Sequence, residues 1–196
     1  MKIFSSIQEM AVARALQNGA VGVLPTDTIY GIVARAHDPA AVDKLNLVKR
    51  REHKSGTIIA ASVEQLYDLG IDARQLQGAA TLWPASLSVQ VPVTDELDYL
   101  ARGTGTVAVR VPESAAIRAL LEQTGPLFTS SANLPGQPPA ANLTEARSYF
   151  GDKVDFYVDG GTITGAAPST IIRFTDDGHT EILRQGAVQV KTEESS

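Results

Sequence analysis

The 196-residue chain contains no cysteine, which excludes disulfides, thiolate catalysis and cysteine-ligated zinc. It also contains no apolar run close to the roughly 20 residues that a membrane-spanning helix needs. The first ten residues, MKIFSSIQEM, lack the apolar core of a signal peptide. Because a chain without cysteine is compatible with a reducing compartment, we expect a cytoplasmic protein with no membrane partner.

The chain also lacks the excess of positive charge that would indicate a nucleic acid partner. Charged residues make up 20% and hydrophobic residues 43%, with a formal net charge of −5. These values are typical of a globular protein and favour neither nucleic acid nor a membrane surface. Because His37, His53 and His179 show no metal-ligand spacing, we predict surface positions for them and no metal site.

Apolar residues recur with helical and strand periodicities in irregular alternation along the chain. This pattern favours an α/β domain with an open, twisted, mixed sheet and flanking helices over a strictly parallel sheet. We assign residues 1–188 to a single domain and expect residues 189–196 to form a polar, disordered tail. The predicted helices cover residues 6–18, 38–51, 63–69, 113–123 and 144–150, and the predicted strands cover 20–24, 57–61, 87–93, 106–111, 127–130, 156–158, 169–174 and 181–183.

The densest positive charge lies in the segment KRREHK, residues 49–54, at the end of a predicted helix. One interpretation is a solvated helix C-terminus, where positive charge complements the helix dipole. The other interpretation is a binding site for a polyanion. Lys49 and Arg51 diverge on a regular helix, but a turn at this place would let both reach one phosphate.

Small polar residues follow two of the apolar runs. The loop TSSANLPG, residues 129–136, offers hydroxyls and backbone N–H groups that can wrap a phosphate, although it also suits a plain turn. The segment PTDTIYG, residues 25–31, carries two hydroxyls, one carboxylate and one phenol. Asp27 in this segment either binds an ammonium group or satisfies the local backbone in an Asx-type turn.

Two arginines, Arg110 and Arg184, each end an apolar run. An arginine is costly to bury without a partner, so each either pairs with a carboxylate of the protein or anchors a carboxylate or phosphate of a ligand. The sequence shows no catalytic triad and no acid pair. Cationic and small polar groups without a nucleophile indicate catalysis by positioning and charge neutralisation, as in reactions at phosphorus.

Six segments, taken together and in order, resemble the YrdC-like family, and within it the short, single-domain threonylcarbamoyl-AMP synthases. The resemblance spans residues 20–187, nearly the whole chain, and implies a YrdC-like fold. Each segment alone is weak evidence, whereas six in register are specific. They are PTDTIYG at 25–31, the K-x-R pair Lys49 and Arg51, RVP at 110–112, the S-x-N pair Ser131 and Asn133, PST at 168–170, and LRQG at 183–186.

The resemblance implies a nucleotidyltransferase reaction in which L-threonine, bicarbonate and ATP, with Mg²⁺, give threonylcarbamoyl-AMP and pyrophosphate. Other proteins then transfer the threonylcarbamoyl group to an adenosine of certain tRNAs. The implied partners are therefore these transfer proteins and tRNA or double-stranded RNA. Lys49 and Arg51 are the implied catalytic residues. By the same resemblance, ATP is bound by Lys49, Arg51, Ser131, Asn133 and Arg184, and threonine by Thr26, Tyr30, Arg110, Thr129 and Ser169.

The sequence departs from the family pattern at a few positions. Glu52 stands where many members have proline, and Lys54 precedes by one residue the place of a family lysine, which is Ser55 here. The segment WPASLS, residues 83–88, replaces the family's WPGPLT. Two alternatives therefore stay open, namely another carbamoyl-transfer enzyme on the same fold and a non-catalytic protein that binds double-stranded RNA.

The implied role of Arg51 leads to a first prediction. Arg51→Ala removes a cation from the nucleotide site, so we expect it to abolish turnover of ATP and threonine without unfolding the protein. Pyrophosphate release measures the turnover, and circular dichroism measures the fold. Turnover near that of the unmodified protein would show that the assignment of this residue is wrong.

Overall fold

The structure is a computed structural model that describes residues 1–50, 54–175 and 177–190. Several predicted features lie outside the described residues: Arg51, with its neighbours Glu52 and His53, Asp176 of a predicted turn, and residues 191–196 of the predicted tail. Within the described ranges, no helix is long and apolar enough to cross a membrane.

The described residues form ten strands and seven helices. Short 3₁₀ turns at Asp95–Leu97 and Gly151–Lys153 flank two of the helices. The strands are β1 (Lys2–Phe4), β2 (Gly22–Pro25), β3 (Tyr30–Arg35), β4 (Thr57–Ile59), β5 (Leu87–Pro92), β6 (Thr106–Arg110), β7 (Leu127–Ser131), β8 (Phe156–Val158), β9 (Thr170–Phe174) and β10 (Thr180–Arg184). The helices are α1 (Met10–Gln17), α2 (Pro39–Lys49), α3 (Val63–Leu69), α4 (Ala73–Ala80), α5 (Asp98–Ala101), α6 (Ala115–Thr124) and α7 (Leu143–Phe150).

All ten strands belong to one sheet with the order β1-β8-β2-β3-β7-β4-β6-β5-β9-β10. Strand β8 pairs in parallel with β1 and β2, and the pairs β4–β6 and β5–β9 are also parallel. The other neighbouring strands run antiparallel. The prediction of a mixed α/β sheet with flanking helices is therefore confirmed.

Alternate residues of each strand enter different hydrophobic clusters, because successive side chains point to opposite faces of a sheet. Ile58 pairs with Phe128, and both lie in the larger cluster, which α2, α4 and α5 help to cover. The next pair, Ile59 with Leu127, lies in the smaller cluster with residues of α1 and α6. The sheet therefore packs its larger hydrophobic cluster against α2, α4 and α5 on one face, and α1 and α6 cover part of the other face.

Local signals explain where several helices begin and end. Asp38 accepts a hydrogen bond from Ala41 N at 3.0 Å and precedes Pro39, so α2 starts at its predicted cap. Helix α1 starts at Met10 rather than at Ser6. The carboxylate of Glu9 accepts from Ser6 N at 3.2 Å, which holds the preceding residues in a turn.

Four elements have no counterpart among the predictions: the strands β1 and β3 and the helices α4 and α5. Strand β3 is an apolar run without alternation, buried on both faces, and it directly follows a polar turn segment. Helix α4 buries only Leu76 and Ala79, so its apolar stripe is too short to stand out in the sequence. Helix α3, by contrast, covers the predicted residues 63–69.

Candidate active site

A cavity of about 540 Å³ lies on the partly covered face of the sheet. Thr57 and Thr129 line it, each two residues from a side chain of the smaller hydrophobic cluster on the same strand. On β6, the cavity receives Thr106, Ala108 and Arg110 while the residues between them enter the larger cluster. The cavity is thus the polar continuation of a hydrophobic face.

The described walls of this cavity contain charged side chains of one sign. Lys54, Arg110 and Arg184 line it, and no described aspartate or glutamate does. Most of the remaining wall consists of hydroxyl side chains, glycines and prolines. Such a surface suits an anionic ligand, because cations attract it and small hydroxyls let it approach closely.

Arg110, at the end of β6, is almost completely buried. Its Nη2 donates to Asp27 Oδ1 at 2.5 Å, and the two side chains are only 4% and 2% exposed. Asp27 therefore compensates the charge that would otherwise make burial of the guanidinium costly. The Nε of Arg110 is buried and lacks a hydrogen-bond partner in the described part of the chain, so one donor of this guanidinium stays unsatisfied beside the cavity.

Arg184, on β10, is held by Ser169, which directly precedes the neighbouring strand β9. Its Nε and Nη2 donate to Ser169 O at 3.1 and 2.7 Å, and Nη2 also donates to Ser169 Oγ at 3.2 Å. Ser169 Oγ in turn lies 3.0 Å from Ser88 Oγ. Burial lowers the pKa of Arg184, and the positive charge of Arg110 lowers it further. An anion bound beside both guanidinium groups would relieve this repulsion.

Lys49 ends α2, where Arg50 adopts a left-handed conformation at φ 51°. The buried Nζ of Lys49 donates to Ser131 O at 2.5 Å, to Asn133 O at 2.6 Å and to Asn133 Oδ1. Ser131 Oγ donates to the same Asn133 Oδ1 at 2.7 Å. The lysine therefore fixes the loop after β7, and of these residues only Ser131 reaches the cavity wall.

The turn between β2 and β3 approaches β7 closely at the cavity. Thr26 Oγ1 donates to Ile29 O at 2.6 Å and closes the turn, while Thr129 Oγ1 donates to Ile32 O at 3.2 Å. A Cβ at Gly31 would lie 2.7 Å from Thr129 Oγ1. Only glycine at this position allows the turn and the threonine to share the wall.

The structure brings together six of the ten predicted site residues on one wall. Lys49 and Asn133 lie behind Ser131, and Arg51 is outside the described residues. Tyr30 does not line the cavity, contrary to expectation. Because it precedes Gly31 on β3, its ring points to the opposite face, where its hydroxyl donates to Gly161 O at 2.8 Å. The six residues are Thr26, Arg110, Thr129, Ser131, Ser169 and Arg184.

Sequence reasoning missed other residues of the wall. Lys54 was singled out only as a displaced family lysine, and it does reach the cavity. Gln90 lines the floor beside its strand partner Ala108, and only the two-residue alternation of β5 and β6 could have indicated either of them. Asp27 pairs with Arg110, and Thr26, in place of an Asx-type hydrogen bond of Asp27, closes the local turn.

The altered segment 83–88 packs beside the ion pair. Trp83 Nε1 donates to Leu87 O at 2.7 Å, and Ala85 N donates to Val111 O at 3.1 Å. Ser86 Oγ donates to Asp27 Oδ2 at 3.4 Å, a long hydrogen bond. The segment therefore keeps a defined turn although three of its residues, Ala85, Ser86 and Ser88, differ from the family pattern.

The fold and the cavity define a class of protein: an α/β domain that presents a cationic, hydroxyl-rich cavity on an open mixed sheet. The family model for Sua5, YciO and YrdC, described as "Telomere recombination", matches residues 14–186. The chain belongs to this family. The resemblance stated from the six sequence segments is thereby confirmed.

Named relatives are similar over most of the chain. A protein of Mycobacterium leprae, provisionally named a threonylcarbamoyl-AMP synthase, is 38% identical over 182 residues, which cover 90% of this chain and 81% of the relative. The threonylcarbamoyl-AMP synthase of Photobacterium profundum is 35% identical over 184 residues, covering 89% of this chain and 97% of the relative.

Solved structures share the fold. The crystal structure of P. abyssi Sua5 complexed with L-threonine matches with a TM-score of 0.83 and 27% identity, covering 95% of this chain. This chain spans only 58% of that longer protein. E. coli YciO matches with a TM-score of 0.82 over 97% of this chain and 98% of its own. Because its identity is 23%, it supports the fold alone.

The contacts of Lys49 lead to a second prediction. Lys49→Met should lower the free energy of unfolding by about 1.5–3 kcal/mol, because buried oxygens lose a charged donor. It should also weaken binding of ATP, because the loop that carries Ser131 loses its anchor. Denaturant unfolding and calorimetric titration with ATP measure the two effects.

Lys44→Met is the matched control on the same helix. Lys44 forms a half-exposed ion pair with Asp155 at 2.6 Å, and such pairs contribute at most about 1 kcal/mol. Equal losses of stability and of ATP affinity in the two variants would contradict the anchoring role of Lys49.

Proposed function

We propose that this chain is a threonylcarbamoyl-AMP synthase, a nucleotidyltransferase that converts L-threonine, bicarbonate and ATP to threonylcarbamoyl-AMP and pyrophosphate. The observation that carries the proposal is the shared wall of Arg110, Arg184, Ser131 and Ser169, which offers only positive charge and small polar groups. The names of relatives at 35–38% identity support the same activity.

The reaction brings anions together, and the cavity supplies the charge that this requires. The threonine amine and bicarbonate combine to form a carbamate: the new N–C bond forms, and one amine proton leaves with the hydroxide of bicarbonate as water. A carbamate oxygen then attacks the α-phosphorus of ATP as the bond to pyrophosphate breaks. Both reactants are negative, so cations that face the reacting groups lower the barrier. Arg110 and Arg184 are placed on the wall to do this without a protein nucleophile.

The threonine subsite is proposed around Arg110. The carboxylate of threonine would accept from the guanidinium, including the Nε that is buried without a protein partner among the described residues. Thr26, Thr129 and Ser169 surround this position with hydroxyls. Tyr30 would act only indirectly, through the backbone of Gly160 and Gly161 that its hydroxyl holds.

The nucleotide subsite is proposed around Ser131, at the loop that Lys49 fixes. Asn133 shapes this loop by donating Nδ2 to Gln137 O at 2.5 Å. Lys54 on the same wall adds a mobile cation for the phosphates. Arg51, which is not among the described residues, is also proposed to bind the nucleotide.

Magnesium is proposed to enter with ATP. No group of three or more acidic or histidine side chains that could hold a metal occurs in the described ranges. Mg²⁺ is commonly held by substrate phosphates and water, which fits a wall on which none of the described residues carries a carboxylate. The product would then pass to other proteins that modify an adenosine of certain tRNAs.

The proposed activity is tested by incubating the protein with ATP labelled at the α-phosphate, L-threonine, bicarbonate and Mg²⁺. We expect threonine-dependent release of pyrophosphate and a labelled threonylcarbamoyl-AMP product. Turnover of ATP that ignores threonine would indicate another carbamoyl-transfer enzyme instead. No turnover, together with salt-sensitive binding of double-stranded RNA, would indicate a non-catalytic RNA-binding protein.

The subsite assignment predicts the effect of Arg110→Ala. This change should raise the KM for L-threonine by roughly 10- to 100-fold, the equivalent of a hydrogen bond to a charged group, with a smaller effect on the KM for ATP. Arg118→Ala is a control, since Arg118 only donates to the backbone oxygens of Pro112 and Glu113. A larger effect on ATP than on threonine would mean that the two subsites are interchanged.

A further inference from the structure

Asp27 is a buried carboxylate that the proposed reaction does not use directly. Its side chain is 2% exposed and does not line the cavity, whereas its partner Arg110 does. The two residues lie 83 positions apart in the sequence, on the β2–β3 turn and at the end of β6. The side-chain contact that links Asp27 to the cavity is therefore its ion pair with Arg110.

The ion pair orients the guanidinium as well as compensating its charge. A guanidinium is planar and donates in fixed directions, so holding one nitrogen restricts where the others point. Asp27 holds Nη2 at 2.5 Å, and the buried Nε stays without a partner in the described residues. The guanidinium of Arg110, which reaches the cavity wall, is therefore held in one orientation.

The carboxylate is itself held in place. Asp27 Oδ1 accepts from Arg110, and Oδ2 faces the hydroxyl of Ser86 at 3.4 Å. Ser86 is buried and belongs to the segment that departs from the family pattern. The two oxygens of the carboxylate thus bind different elements, which limits rotation of the side chain.

The ion pair also offsets the electrostatic repulsion between Arg110 and Arg184. Arg184 lies near enough for the charge of Arg110 to lower its pKa. Among the described residues, Asp27 is the carboxylate that forms an ion pair with Arg110. Without it, no carboxylate of the described ranges would offset the repulsion between the positive charges of Arg110 and Arg184, and Arg110 would be displaced from its position more easily.

We infer that Asp27 is a positioning residue, which fixes the guanidinium of Arg110 so that the cavity selects a substrate carboxylate. The inference rests on the proposed function, in which that carboxylate belongs to L-threonine. Asp27 thereby increases the preference of the cavity for a substrate with a carboxylate over one with a neutral group at the same place. It does not touch the reacting atoms.

The test compares L-threonine with L-threonine amide, which lacks the negative charge that Arg110 would bind. The unmodified protein should prefer L-threonine. In Asp27→Asn, kcat/KM for L-threonine should fall by about 10- to 100-fold, as for other misplaced binding groups, while the value for the amide changes little. A merely structural loss would lower both values by the same factor and leave their ratio unchanged.

Two further variants keep the test decisive. Asp27→Glu retains the charge but moves it by one methylene, so it should also reduce the preference for L-threonine if position matters. Asp155→Asn removes a carboxylate from an ion pair with Lys44 that is no part of the cavity, and its preference should equal that of the unmodified protein. An unchanged preference in both Asp27 variants would overturn the inference.

Failure of the proposed function is distinguished by a measurement that needs no substrate. If the unmodified protein does not turn over L-threonine, the proposed function fails, and NMR of the arginine Nε–H groups then tests the positioning of Arg110. The slowly exchanging Arg110 signal, assigned by its loss in Arg110→Lys, should exchange rapidly in Asp27→Asn. A signal that stays slow in Asp27→Asn would refute the inference.

Discussion

The two-residue alternation of side chains along the central strands organises both the core and the cavity. Val107 and Val109 of β6 are buried in the larger hydrophobic cluster, which holds the strand firmly against the helices on that face. Thr106, Ala108 and Arg110 of the same strand then line a polar cavity on the other face. Because hydrophobic packing on one face already stabilises the strand, its other face can carry polar and charged side chains, which would be costly inside a hydrophobic core.

Burying the guanidinium of Arg110 costs free energy, and this cost determines where the carboxylate of Asp27 lies relative to the cavity. A buried arginine needs a carboxylate, yet a carboxylate on the wall would repel an anionic substrate. The structure resolves this conflict by keeping Asp27 behind the wall while Arg110 reaches it. Lys49 follows the same principle, since it lies behind the loop that it fixes and leaves the wall to Ser131.

Much of this arrangement could be predicted from the sequence. The mixed sheet and most of its elements follow from apolar periodicity, and the short segments around Thr26, Arg110 and Ser131 mark where the cavity lies. Strand β3 was missed because it is an apolar run without alternation, and helix α4 because it buries only two side chains. Strand β1 and helix α5 were missed because they are only three and four residues long. Tyr30 was assigned to the cavity because it belongs to the segment PTDTIYG. It directly precedes Gly31 on β3, so its side chain points to the opposite face of the sheet and lies in the core.

The sequence by itself determined the composition of the site: cations and small hydroxyls without a nucleophile, at the ends of apolar strands. Only the tertiary structure decided which of these groups meet and which face each one occupies. Partners such as Asp27 and Arg110, or Lys49 and Asn133, lie more than 80 residues apart. Local patterns record the periodicity of one strand, whereas the pairing of a buried charge depends on which strands become neighbours in the sheet.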